Sequence, residues 1–126
     1  MRLKMSKPTN IQAYKKVKEL IEAIDRRDTS VLESHFEIPS IVAEEIYECI
    51  DEFFDEGTRL SISPEAEAFS SGQNSRPFID AYETNDEALG MECVIFANNK
   101  PSEAILHLEL SESEGKIKTY YKYIGS

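Results

Sequence analysis

The sequence predicts an α+β fold in which N-terminal helices pack on a curved, mainly antiparallel, cone-like sheet. Two observations carry that prediction. Apolar residues recur at helical spacing as far as Gly57, and beyond it the apolar period becomes two, with turn-forming residues between the runs. Helices followed by strands joined through hairpins build a layered fold, with the helices covering one face of the sheet.

Thr9 and Gln12 have the spacing of a capping box, in which each side chain satisfies an orphan backbone N–H near the other. Ile11, Tyr14, Val17, Leu20, Ile21 and Ile24 then mark one face of a first helix running to about Arg27, with Lys15, Lys16, Lys18, Glu19, Glu22 and Asp25 on its wet side. Asp28-Thr29-Ser30 breaks that helix. Ser30 and Glu33 repeat the capping signature for a short second one through Val31, Leu32 and Phe36. Ile38-Pro39 then makes a corner, because a residue before proline is pushed out of the helical region.

The third predicted helix, residues 40–57, divides more sharply than any other stretch. Val42, Ala43, Ile46, Tyr47, Cys49, Ile50, Phe53 and Phe54 fill one arc, and Glu44, Glu45, Glu48, Asp51, Glu52, Asp55 and Glu56 fill the other. Ser40 is placed to cap it, and Gly57 to end it in the left-handed conformation.

After Gly57, residues 59–63 read as a strand stopped by Pro64, residues 66–69 as a second short strand, and residues 70–75 as a loop. Strands are predicted at 78–83 and 90–97, with a turn at Asn85-Asp86-Glu87 between them and a hairpin turn at Asn98-Asn99-Lys100-Pro101 after them. Ala104, Leu106, Leu108 and Leu110 alternate with Ile105, His107 and Glu109. Past a turn at 111–115, the last strand places Ile117, Thr119, Tyr121 and Tyr123 on one face and Lys118, Tyr120 and Lys122 on the other.

At 126 residues the chain supports one core, so residues 1–126 are expected to form a single domain with residues 1–8 as a flexible arm. No apolar run reaches membrane-spanning length, and the charges near Met1 have no apolar segment behind them, which predicts a cytoplasmic protein of bacterial type with no membrane partner. Cys49 and Cys93 fall on apolar faces and read as buried thiols. Charge is unevenly spread. Residues 1–27 hold eight basic and three acidic side chains, residues 28–114 three basic and twenty-one acidic, and residues 115–126 three lysines and no acid. An acidic middle of this size repels nucleic-acid phosphate, so no direct nucleic-acid partner is expected.

No motif dictates a reaction, and no catalytic residue is assigned. Two histidines and two cysteines stand far from any second ligand at metal-binding spacing, Thr84-Asn85-Asp86-Glu87 lacks the glycine bend of a calcium loop, and no glycine-rich phosphate loop exists. No metal or cofactor is therefore expected. Asp80, Tyr82, Glu92, His107 and Tyr121 are the strand residues that could point inward, and Asp80, Tyr82, His107 and Tyr121 are the candidate pocket set, although His107 is in register opposite the leucine face, where a histidine is ordinarily structural. The alternation of Tyr120, Tyr121 and Tyr123 with Lys118 and Lys122 is the pattern of a packed strand whose lysines guard against edge aggregation.

The acidic helix is the stronger candidate. Its pairs Glu44/Glu48, Glu48/Glu52, Asp51/Asp55 and Glu52/Glu56 are like-charged at i,i+4, each costing about 0.2–0.5 kcal/mol of helix stability. A basic partner would relieve that repulsion, and Glu44, Glu48, Asp51, Glu52, Asp55 and Glu56 are the residues expected to meet it.

Two resemblances follow. The element order over residues 9–124 resembles the nuclear-transport-factor-2-like cone, in which initial helices close the concave side of a bent sheet; that resemblance implies a pocket able to hold a ligand or move protons beside a carbonyl, the alternative function for Asp80, Tyr82, His107 and Tyr121. In size, acidity and absence of catalytic motifs the chain resembles the immunity proteins of bacterial contact-dependent growth inhibition and related polymorphic toxin systems. That resemblance implies a toxin inhibitor that covers the active-site surface of a cognate basic toxin domain, of nuclease type. Oligomeric state is left open by both.

Overall fold

The first helix, α1 (Asn10–Arg26), opens on the predicted capping box: the Thr9 hydroxyl accepts from the Gln12 backbone N–H at 3.1 Å, and the Gln12 side chain accepts from the Thr9 N–H at 2.9 Å. In the computed structural model, which describes residues 6–70, 76–85 and 87–126, it ends where Arg27 turns left-handed (φ 53°). That turn leaves Asp28 in the capping position of α2 (Thr29–Phe36), where its carboxylate accepts from the Val31 N–H at 3.1 Å. The cap is therefore Asp28 and not the predicted Ser30.

Helix α3 (Ser40–Phe53) starts on Pro39, whose fixed φ suits a helix entry, with Ser40 as its first helical residue and no side-chain cap. It ends short of the predicted Gly57. Phe54 is already extended, and leaving the helix there sets its ring beside that of Phe53, centroids 6.0 Å apart, against the core. Asp55 and Glu56 consequently lie on a loop, and Gly57 takes its positive φ (87°) within the turn that follows.

The predicted strand at 59–63 shrinks to β1 (Leu60–Ser61), because the Ser63 carbonyl is taken by the buried Tyr14 hydroxyl, which donates to it at 2.7 Å. Residues 66–68 of the predicted second short strand instead belong to α4 (Glu65–Ala68), entered from Pro64, which buries Ala68 and sets Phe69 edge-on to Tyr14. Four residues of alternation do not separate one turn of helix from a strand. The predicted loop at 70–75 lies outside the described residues except for Ser70, as does Asp86 of the predicted turn.

The remaining strands are β2 (Ile79–Asn85), β3 (Ala88–Ala97), β4 (Lys100–Ser113) and β5 (Lys116–Gly125), all antiparallel. Asn98 and Asn99 both take positive φ in the tight turn between β3 and β4, as do Glu114 and Gly115 between β4 and β5. Strand β3 is the hub, pairing β4 along one edge and both β2 and β1 along the other, with β5 beyond β4. The sheet curves into a half-barrel. Helix α1 touches both β1 and β5, so it crosses the concave side from one end of the sheet to the other.

Val17, Leu20, Ile21 and Ile24 of α1 share one buried cluster with Met91, Cys93, Ile95, Leu106, Leu108 and Leu110 of the sheet. Each large apolar side chain buried in this way contributes about 1.5–3 kcal/mol. The predicted arm is tied down where it is described: Ser6 and Glu112 exchange backbone hydrogen bonds of 2.9 and 2.7 Å, Lys7 pairs with Glu83 at 2.7 Å, and Pro8 is buried. Residues 1–5 lie outside the described residues. One further correction concerns β5, where Lys122 is an extra residue between the pairs His107↔Tyr123 and Leu108↔Tyr121, so the bulge turns Tyr123 onto the opposite face from Tyr121. Among the described residues no helix is long and apolar enough to cross a membrane.

Removing the buried hydroxyl that holds the Ser63 carbonyl isolates its contribution. Tyr14→Phe should lower the unfolding free energy by about 1–2 kcal/mol in urea denaturation, with the denaturant slope unchanged.

Candidate functional site

Ala43, Ile46 and Ile50 pin α3 to the core, and this fixes the direction of everything else on the helix. Glu44, Glu45, Glu48, Asp51 and Glu52 are all exposed, as are Asp55 and Glu56 on the loop beyond. Among the described residues Glu44, Glu48, Glu52, Asp55 and Glu56 form no ion pair; Asp51 does, with the Arg27 guanidinium. Arg27 also lies over the Tyr47 ring, 5.1 Å from its centroid, and the Tyr47 hydroxyl meets the Thr29 hydroxyl at 3.0 Å. One of the six predicted carboxylates is thus neutralised from within, at the border where α3 faces the end of α1.

The early end of α3 changes the repulsion. Glu44/Glu48 and Glu48/Glu52 remain i,i+4 neighbours on the helix, whereas the partners of Asp51 and Glu52 in the other two pairs have moved onto the loop. The sequence reading also missed Ile41. It sits in the middle of the acidic arc, three residues before Glu44 and seven before Glu48, and is 68% exposed. Its signal was present as the one apolar residue on the wrong side of an otherwise clean division.

The stripe runs into a cleft of about 720 Å³ between the end of α1, the end of α3 and residues 57–60. Asp51, Asp55 and Glu56 line it, with Phe54 and Ile50 as apolar wall and the last carbonyls of α3 adding partial negative charge. Asp25 anchors the opposite wall. Its carboxylate accepts from Arg59 Nε at 3.0 Å and Nη2 at 2.8 Å, and from the Leu60 N–H at 2.7 Å, which fastens β1 to α1. Burial acts to raise the Asp25 pKa, but the bonds from Arg59 and Leu60 outweigh it and hold the carboxyl below its ordinary value of 3.8. Both arginines on this cleft are therefore committed to internal partners, and Asp55 and Glu56 are left facing solvent.

The four candidate pocket residues do not converge. Cross-strand pairing lines up Asp80, Glu92, His107 and Tyr123 in one row, and Tyr82, Gly90, Glu109 and Tyr120 in the next, both on the sheet face opposite the helices. Tyr121 instead pairs with the buried Leu108, on the helix side, where burial foremost pushes its hydroxyl pKa up to about 12. On the outer face Glu92 takes Arg76 at 3.2 Å and His107 Nδ1 at 3.4 Å, while the His107 ring stacks on Tyr123 with centroids 4.1 Å apart. The ring of Tyr82 lies over Gly90, where a Cβ would come within 2.4 Å of it. Among the described residues no hydroxyl or thiol makes a hydrogen bond to His107, and the contacts of this row are the Arg76 ion pairs, the His107–Glu92 contact and ring stacking. No group of histidine, cysteine or carboxylate side chains among the described residues has the arrangement to hold a metal ion.

No protein-family model, curated protein or solved structure matches the chain.

The lowered Asp25 pKa has a definite linkage sign. A depressed folded-state value gives stability that is complete above the unfolded pKa and is lost as pH falls through the folded one. At neutral pH Asp25→Asn should be less stable than the parent by about 2 kcal/mol. The gap should narrow as pH falls below 3.8, read from urea titrations of both proteins across the acid range.

Proposed function

We propose that this chain is a binding protein that neutralises a basic protein partner: an immunity-type inhibitor whose acidic face covers the active-site surface of a nucleic-acid-cleaving toxin domain. The observation that carries this reading is the run of carboxylates Glu44, Glu48 and Glu52 around exposed Ile41, continuing through Asp55 and Glu56 into the cleft with no cation paired to them among the described residues. A nuclease surface that binds phosphate is rich in lysine and arginine, and side chains of that kind fit both the stripe and the cleft. Steering between opposite charges raises association rates by about 10- to 1000-fold at low salt. An apolar anchor such as Ile41, once desolvated, supplies the slower dissociation that charge alone does not give.

The mechanism is occlusion. The inhibitor needs no chemistry of its own, only a rigid face that occupies the site where the substrate phosphate would lie. A growth-inhibition system of the contact-dependent type would place such an inhibitor in the bacterial cytoplasm, where the toxin acts.

The test needs a candidate partner, a basic nuclease-type toxin domain sought in the genes flanking this one, and the absence of any such domain there would itself count against the proposal. Co-expression of the chain should rescue growth, and purified chain should bind the domain. Replacing Glu44, Glu48, Glu52 and Asp55 with lysine should abolish rescue and binding while circular dichroism stays that of the parent. Ile41→Ala should speed dissociation about tenfold with association little changed. Rescue and affinity that survive the four-lysine variant would reject the proposal.

A further inference from the structure

The two basic ends of the sequence, far apart along the chain, meet at one place in the fold. Lys16 of α1 and Lys116 and Lys118 of β5 border a pocket of about 390 Å³ closed by the end of α2. Phe36, which is buried, and Ile117, which is half-buried, give it an apolar wall. Lys16 is held over the Phe36 ring, 4.7 Å from its centroid, and its ammonium donates to the His35 carbonyl at 3.4 Å. Lys118 pairs with Glu37 at 3.6 Å. Lys116 has no partner among the described residues. Counting His35 as neutral, three lysines against Glu37 leave a net charge of +2 around this pocket, in a protein whose total is −10.

A second observation points the same way. Thr119 also lines the pocket and is 7% exposed, yet its buried hydroxyl has no hydrogen-bond partner. A buried hydroxyl without a partner costs about 1–3 kcal/mol, and because its oxygen is enclosed it meets a ligand acceptor only when the Thr119 side chain turns toward the pocket. Cations from two distant segments, an apolar ring and an unanswered donor are the components of a small-anion site: an apolar pocket with a few convergent polar groups.

We infer that this pocket binds a small phosphate monoester carrying an apolar or aromatic group. A phosphate monoester has a charge of about −1.5 to −2 at neutral pH and three acceptor oxygens, which answers the charge and the three ammonium groups; a carboxylate brings a single charge. The apolar wall formed by Phe36 and Ile117 takes the organic part. The site is separate from the acidic stripe and does not depend on the inhibitor proposal.

The experiment is an NMR titration of the amide spectrum of the full chain with phenyl phosphate, inorganic phosphate and benzoate. Phenyl phosphate should shift residues 34–37 and 116–119 and saturate, about tenfold more tightly than inorganic phosphate or benzoate. Lys116→Gln, which removes no internal contact, should weaken it several-fold, whereas the double variant Lys15→Gln/Lys18→Gln on the wet side of α1 should leave it unchanged. Shifts scattered over all lysines, equal sensitivity to both variants, or no saturation up to about 20 mM would overturn the site. Binding of inorganic phosphate as tight as that of phenyl phosphate would overturn the assignment of an organic monoester.

Discussion

Burial of one face of the sheet under α1 is the constraint on which the rest of the molecule depends. Leu106, Leu108 and Leu110 on β4 and Met91, Cys93 and Ile95 on β3 point to the concave side, and Val17, Leu20, Ile21 and Ile24 fill it. Once that helix is seated, the short connections through Arg27 and through Glu37, both left-handed, leave α2 and α3 few ways to lie. The inner arc of α3 is taken by Ala43, Ile46 and Ile50, and its carboxylates have nowhere to go but outward. The charge pattern of the surface is thus a consequence of the apolar pattern of the interior.

That ordering sorts the charges of the sequence into distinct places. Arg27 and Arg59, the described cations that reach the acidic cleft, are drawn into internal bonds with Asp51 and Asp25, so the fold uses them to join α1 to α3 and to β1, and among the described residues the outer carboxylates Glu44, Glu48, Glu52, Asp55 and Glu56 have no ion pair. Lysines from both chain ends collect instead between α2 and β5. A protein with a total charge of −10 therefore carries one strongly acidic stripe and one local cationic pocket, and these invite ligands of opposite kinds.

Regular elements were legible where pattern and capping agreed. Thr9 and Gln12 announced α1, the Asn98-Asn99 pair its hairpin, and the leucines of β4 their buried face, because each is specified by neighbours in sequence. The misreadings arose where distant residues decide. Residues 59–63 alternate like a strand, but Tyr14 claims the Ser63 carbonyl and most of the strand is lost. Phe54 leaves α3 early to bury its ring beside Phe53, and one bulge at Lys122 moves Tyr123 across the sheet. The acidic face of α3 was readable from period alone, whereas the Arg27–Asp51 pair, the exposed position of Ile41 and the Lys16–Lys116–Lys118 pocket exist only through tertiary packing.

Whether Glu44, Glu48 and Glu52 stand outward and uncompensated can be measured without any partner, through the salt dependence of stability. Repulsion between exposed like charges fades as ionic strength rises, since the screening length falls from about 30 Å at 0.01 M to about 10 Å at 0.1 M. The unfolding free energy of the parent should rise over that range. A variant with Glu44, Glu48 and Glu52 replaced by glutamine should start higher at low salt and rise less. A parent whose stability falls with salt, or a variant with the same slope, would mean that these carboxylates are already neutralised within the molecule and have no cationic counterpart to await.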